Sequence, residues 1–301
     1  MAVETFPTGQ RRENGLLRLL RRSQSAQLGA LLFPGLFWLL IFFALPLVVI
    51  VIYSFLTPGP TGNVIWNFTL DNYITLFTKD IYVNAYLRSL GFGVATTIAC
   101  LLIGYPLSLY VIQRTPRWRS VLLFLVLIPF WTNFLVRTYA WMIILSNNGV
   151  LNTLFQSLGL PRQTMLNTPG AVLIGLIYGE LPFMVLPIYA SLDRFDFTLL
   201  EAASDLGASR TRAFLRIMLP LTMPGVAAGS VLVFIPTVGQ FVVSDLLGGA
   251  KVDMLGNLLQ RLFTRSNPPN WPLGSAMALI FMIVLTISVI FYFRATTEED
   301  R

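Results

Sequence analysis

Residues 201–220 read EAASDLGASRTRAFLRIMLP, a mostly polar segment with long apolar stretches on both sides. Thr198 and Glu201 have the spacing of a capping box, in which Thr caps the backbone and Glu reaches back to it. Gly207 suits the left-handed C′ position that ends a helix and allows a sharp turn. A second amphipathic stretch then runs to Pro220. The pattern predicts a helix, a glycine turn and a second helix.

Long apolar stretches lie on both sides of this segment. The 301-residue chain is 55% hydrophobic and only 12% charged, whereas about a quarter of the residues in a soluble domain are charged. A bilayer core of about 30 Å is crossed by about 20 apolar residues in a helix. The stretches that reach this length are 28–56, 87–112, 121–145, 169–190, 223–243 and 273–293. The composition therefore predicts an all-α integral membrane protein with six transmembrane helices.

The positions of the basic residues predict the orientation. Most of the 21 Lys and Arg residues fall in the N-terminal tail and in the connections 113–120 and 191–221, on one side of the six stretches. Because Lys and Arg concentrate in cytoplasmic loops, we expect both termini and the 191–221 connection to be cytoplasmic. The predicted organisation is a basic N-terminal segment (1–27), a first span with an external loop (28–87), a core of five spans (88–294) and a short tail (295–301).

The central segment also carries a family resemblance. The residues concerned are Glu201, Ala202, Ala203, Gly207, Ile217, Leu219 and Pro220. In type and spacing they resemble the EAA loop of permease subunits of binding-protein-dependent ABC importers, the type I, MetI-like family. The resemblance implies the six-helix type I importer fold, with this loop as a cytoplasmic coupling helix that docks into a groove of an ATPase subunit. A rigid helix–turn–helix suits that role, because a flexible loop would absorb the motion.

Other stretches resemble the spermidine/putrescine permeases of that family. They are IPFWTN (128–133), LPFMVLP (181–187), PLTMPG (220–225) and VSDLLGGAK (243–251). The resemblance implies a polyamine cargo and a bacterial inner-membrane location. It also implies four kinds of partner: a second, related permease subunit, a cytoplasmic ABC ATPase dimer, an extracytoplasmic solute-binding protein and membrane lipid. Relatives with this architecture carry other amines, opines, sulfate or ferric iron, so a different cargo stays open.

Two charged residues lie well inside the predicted spans, away from their ends. Arg137 and Glu180 lie at similar depths, counted from the outer ends of their spans. Charges inside a bilayer are costly and therefore suggest a function. Either the two residues form an ion pair across neighbouring helices, or Arg137 bonds to carbonyl groups, or Glu180 faces the translocation path and binds a cation.

Further candidates for contact with a cationic cargo lie near the ends of the spans. Asp245 and Asp253 flank a glycine-rich outer loop, where they either receive a cation or are ordinary solvated carboxylates. Trp131, Tyr139 and Trp271 either stack on the cargo through cation–π contacts or anchor the chain at the membrane interface.

The sequence lacks the residues that several classes of enzyme need. With no His and one Cys, it has no zinc site, no Ser-His-Asp triad and no Cys-His pair. It also has no GxxxxGK[ST] loop for ATP. We therefore expect no catalytic residue, cofactor or metal, and ATP hydrolysis in a separate subunit. The net charge of +7 comes from residues that flank apolar runs, so we expect no nucleic-acid partner.

Two alternatives from other classes are open. An autonomous secondary transporter or channel would work without an ATPase, but it leaves the EAA-like segment unexplained. A membrane enzyme would need a cluster of catalytic groups within the bilayer, and Arg137 and Glu180 alone do not provide one.

Overall fold

The computed structural model describes residues 24–298, which are mostly helical. Residues 1–23 and 299–301, which hold most of the predicted N-terminal segment and part of the predicted tail, lie outside the described residues. The described residues divide into two compact units, one that ends at Tyr53 and one that begins at Ser54. In chain order the α-helices are α1 (Gln24–Leu39), α2 (Leu45–Ser54), α3 (Asp71–Thr78), α4 (Asp80–Ile112), α5 (Pro116–Trp131), α6 (Phe134–Leu145), α7 (Val150–Ser157), α8 (Pro169–Asp193), α9 (Thr198–Asp205), α10 (Arg210–Ala213), α11 (Leu219–Leu221), α12 (Met223–Gly239), α13 (Leu255–Gln260) and α14 (Trp271–Glu298).

The first unit holds one long apolar helical segment. A π-helical turn, Leu40–Ala44, joins α1 to α2 without a break in the helix. The stretch Leu31–Ser54 is long and apolar enough to cross a membrane. It corresponds to the first predicted span.

Helices of the second unit account for the other predicted spans. α4, α8 and the Trp271–Ile290 part of α14 are each long and apolar enough to cross a membrane alone. Two bent pairs meet the same criterion together: Pro116–Trp131 with Phe134–Ser157, and Arg210–Leu221 with Met223–Gly239. Among the described residues this gives four helices that are each long and apolar enough to cross a membrane, or up to six such spans when each bent pair counts as one.

The prediction of one continuous helix over 121–145 is wrong. α5 ends at Trp131, and the segment Phe134–Ser157 leaves it at 91°. The Asn133 side chain caps the new helix by accepting the N–H of Leu135 at 2.9 Å, and the Thr132 hydroxyl donates to the carbonyl of Pro129 at 2.7 Å. These side chains satisfy backbone groups that the break frees, so the chain can turn inside an apolar stretch.

The limits of other predicted spans also differ from the structure, most clearly at residues 87 and 243. The helix predicted from residue 87 already begins at Asp80. The span predicted to run to residue 243 ends at Gly239, where the Gln240 side chain accepts the N–H groups of Phe241 and Val242. Because the Gln240 side chain bonds to these N–H groups, they do not continue the hydrogen bonds of α12, and the helix ends. The apolar residues 241–243 therefore lie outside α12.

The core of the second unit is built by α4, α8 and α12, which pack against one another. Small residues permit the close approach: a Cβ atom at Gly229 would lie 2.9 Å from the sulfur of Met184, and one at Gly93 would lie 2.8 Å from the ring of Phe234. Such small residues let membrane helices pack backbone to backbone. The buried residues around these contacts include Cys100, Tyr105, Ile188, Leu192 and Val233.

Residues 240–270 form a compact segment of short helical turns between α12 and α14. It contains the π-helical turns Ser244–Gly248 and Arg261–Arg265, with α13 between them. Ser89 of α4 fastens this segment to the core, because its hydroxyl accepts the N–H of Leu255 at 2.7 Å. The predicted glycine-rich loop is therefore an ordered part of the bundle.

Asn257 is the centre of the segment 240–270. It is 1% exposed, and its amide nitrogen donates to the carbonyl of Phe241 at 3.1 Å and to the carboxylate of Asp245 at 2.7 Å. Its amide oxygen accepts the N–H of Met254 at 2.9 Å. One buried side chain thus joins three parts of the segment.

A small hairpin precedes α3. Strand β1 (Leu56–Pro58) pairs antiparallel with β2 (Val64–Phe68). The Asn72 amide of α3 supports the hairpin by donating to the carbonyls of Ser54 and Leu56 at 3.0 and 2.9 Å. Strands this short have almost no periodicity in sequence, so the hairpin is not among the predicted elements.

Candidate functional site

The predicted helix–turn–helix is present at residues 198–221, and its turn has a defined geometry. Gly207 has a φ of +83°. Its N–H donates to the carbonyl of Ser204 at 2.9 Å, and the N–H of Ala208 donates to the carbonyl of Ala203 at 2.9 Å. These bonds and the positive φ make a Schellman motif. The predicted left-handed glycine is confirmed, and backbone bonds hold the turn in one shape.

The start of the helix–turn–helix differs from the prediction. Thr198 and Glu201 do not form the predicted capping box, because Thr198 already lies inside α9 and the preceding residue, Phe197, makes no side-chain cap bond. Asp196 instead accepts the hydroxyl of Thr198 at 2.8 Å and its N–H at 3.0 Å. These two bonds, the hydroxyl one first, lower the pKa of the Asp196 carboxyl. Asp and Thr side chains both readily form such local bonds with the backbone, so the sequence offers two candidate capping residues for α9, Asp196 and Thr198.

Side chains fasten the helix–turn–helix to the core helices. The ring of Tyr105 on α4 meets the ring of Phe214 edge-on, with centroids 5.5 Å apart. The hydroxyls of Tyr105 and Thr222 lie 2.8 Å apart. Since Thr222 donates its own proton to the carbonyl of Met218 at 2.8 Å, Tyr105 is the donor in this pair. Thr222 stands at the 67° bend before α12, so α4 is tied to the bend.

The link between Tyr105 and Thr222 was not predicted from the sequence. A tyrosine in the middle of an apolar span is the signal that points to it, because a buried tyrosine hydroxyl needs a partner. The identity of that partner depends on how α4 and α12 pack, and 117 residues separate the two side chains.

One face of the helix–turn–helix is open. Leu206, at its tip, is 90% exposed, while Leu200 packs against the core on the other face. The predicted coupling residues divide between the faces: Glu201, Ala202, Gly207 and Pro220 are exposed, Ala203 is buried, and Ile217 and Leu219 are half-buried. The coupling residues therefore do not all lie on the exposed face of the helix–turn–helix.

The two intramembrane charges are close but do not form the predicted ion pair. Glu180 is 8% exposed in the middle of α8, and Arg137 is half-buried in the first turn of α6. Arg137 is near enough to interact electrostatically with Glu180, yet among the described ion pairs within 4.0 Å these two do not appear together. The buried Nε and Nη1 atoms of Arg137 and Oε2 of Glu180 make no hydrogen bond within the part of the chain that the structure describes.

Asp245 and Asp253 are each paired with an arginine. The carboxylate of Asp253 receives both terminal nitrogens of Arg261, at 2.7 and 2.8 Å. The carboxylate of Asp245 receives Arg265 at 3.2 Å in addition to the amide of Asn257. Neither aspartate is the free, solvated carboxylate that the sequence allowed. The predicted role in receiving a cation would require each to exchange its arginine.

The predicted aromatic candidates lie on three different helices. Trp131, at the end of α5, is 74% exposed and meets the ring of Phe124 edge-on at 5.5 Å. Trp271, at the start of α14, is 44% exposed and meets the ring of Phe263 at 6.0 Å. Tyr139, on α6, is 47% exposed. The ring contacts of the two tryptophans are with phenylalanines, and no ring contact among the described residues joins the three candidates to one another.

The chain matches one protein family over most of its length. Residues 101–296, from the middle of α4 to the end of α14, match the family described as "Binding-protein-dependent transport system inner membrane component". The chain belongs to this family. The matched region contains the whole helix–turn–helix, the bend at Thr222 and both intramembrane charges, so the elements described above are parts of an inner-membrane component of such a transport system.

Individual members of the family are similar to nearly the whole chain. The spermidine/putrescine transport system permease protein PotB of Haemophilus influenzae is 42% identical over 266 residues, which cover 88% of this chain and 92% of that protein. PotB of Escherichia coli is 44% identical over 262 residues, which cover 86% and 94%. The similarity extends beyond the matched family region toward the N-terminus.

Solved structures share the fold. A chain from the bacterial alginate ABC transporter in complex with an alginate pentasaccharide-bound periplasmic protein superposes with a TM-score of 0.75 at 20% identity, covering 93% of this chain and 96% of that one. A chain of the inward-facing MetNI methionine ABC transporter superposes with a TM-score of 0.55 at 17% identity, covering 73% and 96%. The predicted ABC importer permease fold is therefore confirmed.

Proposed function

We propose that this chain is the membrane-spanning permease subunit of an ABC importer that moves polyamines such as spermidine and putrescine across the bacterial inner membrane. The observation that carries the proposal is the identity of 42–44% over at least 86% of this chain with two proteins named spermidine/putrescine permeases. The cargo is cationic, and the membrane domain holds a buried carboxylate, Glu180, which suits a cationic cargo.

The proposed assembly contains this chain, a second permease subunit, two copies of a cytoplasmic ABC ATPase and an extracytoplasmic solute-binding protein. ATP hydrolysis belongs to the ATPase, and this chain carries no catalytic residue. PotC of Escherichia coli, a spermidine/putrescine permease, is 37% identical to this chain over 110 residues. That similarity supports a related second permease. We also propose that both termini and the helix–turn–helix lie in the cytoplasm, and that the domain boundaries fall at residues 27, 87 and 294.

The helix–turn–helix is proposed to couple the ATPase to the membrane helices. Its exposed tip, Leu206, enters a groove of the ATPase, and burial of one leucine side chain contributes about 1.5–3 kcal/mol. The Schellman turn at Gly207 keeps the tip in a fixed position relative to α9 and α10. The contacts of Tyr105 with Phe214 and Thr222 pass a displacement of the tip to α4 and to the bend before α12. Movement of these core helices changes the side of the membrane to which the translocation path opens.

The proposed function is tested by uptake in cells that lack their own polyamine transport systems. The complete transporter is supplied with this chain present or deleted, and entry of labelled spermidine and putrescine is measured. We expect uptake that requires this chain and stops when the ATPase subunit is inactivated. An assembled complex that hydrolyses ATP without polyamine entry would contradict the cargo. Polyamine entry that continues with an inactive ATPase would contradict the coupling mechanism.

A further inference from the structure

A groove runs along the surface of the second unit between α4 and α14. Its first part, of about 170 Å³, lies beside α3, and its second part, of about 450 Å³, lies where α12 forms a further wall. Leu90 lines both parts, so they are consecutive. The α4 wall of this α4–α14 groove is formed by Val83, Leu87, Leu90, Val94 and Ile98.

The walls of the α4–α14 groove are made mainly of hydrocarbon. Thr97 and Ser288 donate their hydroxyl protons to carbonyls one turn earlier in their own helices, at 2.7 and 2.8 Å. Tyr86 donates its proton to the carbonyl of Met277 at 2.6 Å. Ser230 is the remaining hydroxyl-bearing residue among those that line the groove. The groove therefore suits a ligand that needs few hydrogen bonds.

The size of the groove fits a single hydrocarbon chain. From Val83 to Ile98 the groove is about 22 Å long, at 1.5 Å per helical residue. An acyl chain in one leaflet spans half of the hydrocarbon core, which is about 15 Å. A helix about 10 Å across would need roughly 1,700 Å³ over the same length, several times the 170 and 450 Å³ that the two parts provide. An acyl chain therefore fits inside the groove, and a helix does not.

One end of the groove lies near the ends of the spans. The bond from Tyr86 holds α4 beside α14 at Met277, less than two turns after Trp271, where α14 begins. Lys79 lies where α3 meets α4, two turns before Tyr86, and is thus at the same end as Trp271. Tryptophan and lysine are typical of the boundary between lipid and water. The groove therefore extends from this boundary into the hydrocarbon region.

Lys79 is placed to bind the head group of a lipid in the groove. It falls between Phe77 and Val83 in the chain, and both of these residues line the groove. Its side chain is exposed, and it takes part in no ion pair within 4.0 Å among the described residues, not even with Asp80. A phosphate group is the complement of this free ammonium group, and a basic residue beside an apolar groove suits a phospholipid.

We propose that the α4–α14 groove binds one acyl chain of a membrane phospholipid, and that Lys79 binds the phosphate of that lipid. The lipid fills space between α4, α12 and α14 that these helices leave unpacked, and it remains bound when the surrounding bilayer is removed. Its occupancy does not depend on the cargo.

The site is tested by photo-cross-linking in the purified complete complex. Val94, in the middle of the groove, is replaced by photo-leucine, whose diazirine reacts with the molecule next to it, and the adducts are identified by mass. We expect a phospholipid adduct that survives washing in lipid-free detergent. The same label at Leu102, which is 70% exposed on α4 but does not line the groove, should lose its lipid adduct on washing.

Variants of Lys79 test the head-group contact. Lys79→Gln should lower the yield of the phospholipid adduct at position 94 about threefold, since it removes an exposed ion pair with the phosphate. Lys79→Arg keeps the charge and should keep the yield. Lys251→Gln removes another exposed lysine, in the segment 240–270, and should also keep it. Equal yields in wild type and Lys79→Gln would overturn the role of Lys79.

The adducts also distinguish the lipid from other occupants. A cross-link from position 94 to the second permease subunit, or to Leu31–Ser54 of this chain, would overturn the lipid site. Equal loss of the lipid adduct on washing at positions 94 and 102 would overturn it too, because it would show ordinary exchange with the bilayer. If the label at Val94 prevents assembly, the same label at Ile98 gives the measurement. These readouts involve no polyamine, so they test the site separately from the proposed function.

Discussion

At the residue scale, Gly207 shows most clearly how one position constrains function. Its φ of +83° is in the left-handed region, and no atom lies within 4 Å of the position of an added Cβ. The requirement for glycine is therefore conformational, since a side chain would have space. A β-branched residue adopts this φ only at a cost of about 1–3 kcal/mol.

We expect Gly207→Val to uncouple ATP hydrolysis from transport while the spans still insert. The strained turn loses its Schellman geometry, so the tip at Leu206 no longer has a fixed position relative to the core helices. The measurement compares ATP-driven uptake with the ATPase activity of the assembled complex, and we expect uptake to be lost while ATP hydrolysis continues.

Gly159 provides the matched control for the glycine turn. Its φ is +77°, and an added Cβ there also has no atom within 4 Å, but it follows α7 and lies outside the helix–turn–helix. Gly159→Val should keep coupled uptake despite the same backbone strain. Unchanged uptake by the Gly207 variant, or equal loss in both variants, would contradict the role given to the turn.

A second prediction at the residue scale concerns Leu206. Leu206→Asp should abolish co-purification of the ATPase subunit with little change in the thermal stability of this chain, because the side chain is 90% exposed and contributes through the partner alone. Leu158→Asp changes another leucine, 67% exposed, outside the helix–turn–helix, and should leave the complex intact. Retention of the ATPase by the Leu206 variant would place the docking surface elsewhere.

At the element scale, long-range side-chain bonds join elements that are far apart in the sequence. The helix–turn–helix is joined to α4 through Tyr105, and the segment 240–270 is joined to α4 through Ser89. Asn257 and the arginine–aspartate pairs then hold that segment together. α4 is therefore bonded both to the helix–turn–helix and to the segment 240–270.

The bond between Tyr105 and Thr222 is tested by a double-mutant cycle. Tyr105→Phe and Thr222→Val should each destabilise the solubilised protein, and the double variant should lose less than the sum, by about 0.5–1.5 kcal/mol. The amount of polyamine taken up per ATP hydrolysed should fall in Tyr105→Phe.

Tyr86→Phe is the control variant. It loses a comparable bond, from its hydroxyl to the carbonyl of Met277 at 2.6 Å, and should keep the wild-type ratio of uptake to ATP hydrolysed. Strict additivity in the cycle would argue against the link.

The ion pair of Asp253 and Arg261 is expected to keep the segment 240–270 ordered. Its two parallel bonds and partial burial make it stronger than an ordinary surface pair. Arg261→Gln should increase tryptic cleavage within this segment. Arg119→Gln breaks the more exposed pair with Asp193, at 3.3 Å, and should leave the cleavage pattern unchanged, since such pairs contribute about 0–1 kcal/mol. Equal protease resistance of wild type and Arg261→Gln would contradict this role.

At the scale of the whole molecule, features set by neighbouring residues were predictable from the sequence. Apolar stretches of about 20 residues become membrane helices because the bilayer demands that length. The left-handed Gly207 follows from the residue type and the helix before it. The family resemblance at Glu201, Ala202 and Ala203 then leads to the ABC importer permease fold, which the solved structures support at TM-scores of 0.75 and 0.55.

Features that depend on packing were not predictable. Thr132 and Asn133 turn an apolar stretch through 91°, although the apolar residues on both sides read as one span. Asp196 takes the place of the predicted Thr198 cap because both residues offer a local bond. The arginine partners of Asp245 and Asp253 and the separation of Arg137 from Glu180 depend on how whole segments fold back on the core.

The most direct test of an ATP-driven permease is uptake of labelled spermidine into proteoliposomes that contain the complete purified complex and the binding protein. Uptake is compared with ATP, without ATP and with an inactive ATPase subunit. We expect accumulation above the external concentration only with ATP and an active ATPase, and loss of that accumulation when this chain is omitted. Accumulation by this chain without the ATPase, driven by an ion gradient, would contradict the importer mechanism and show a secondary transporter.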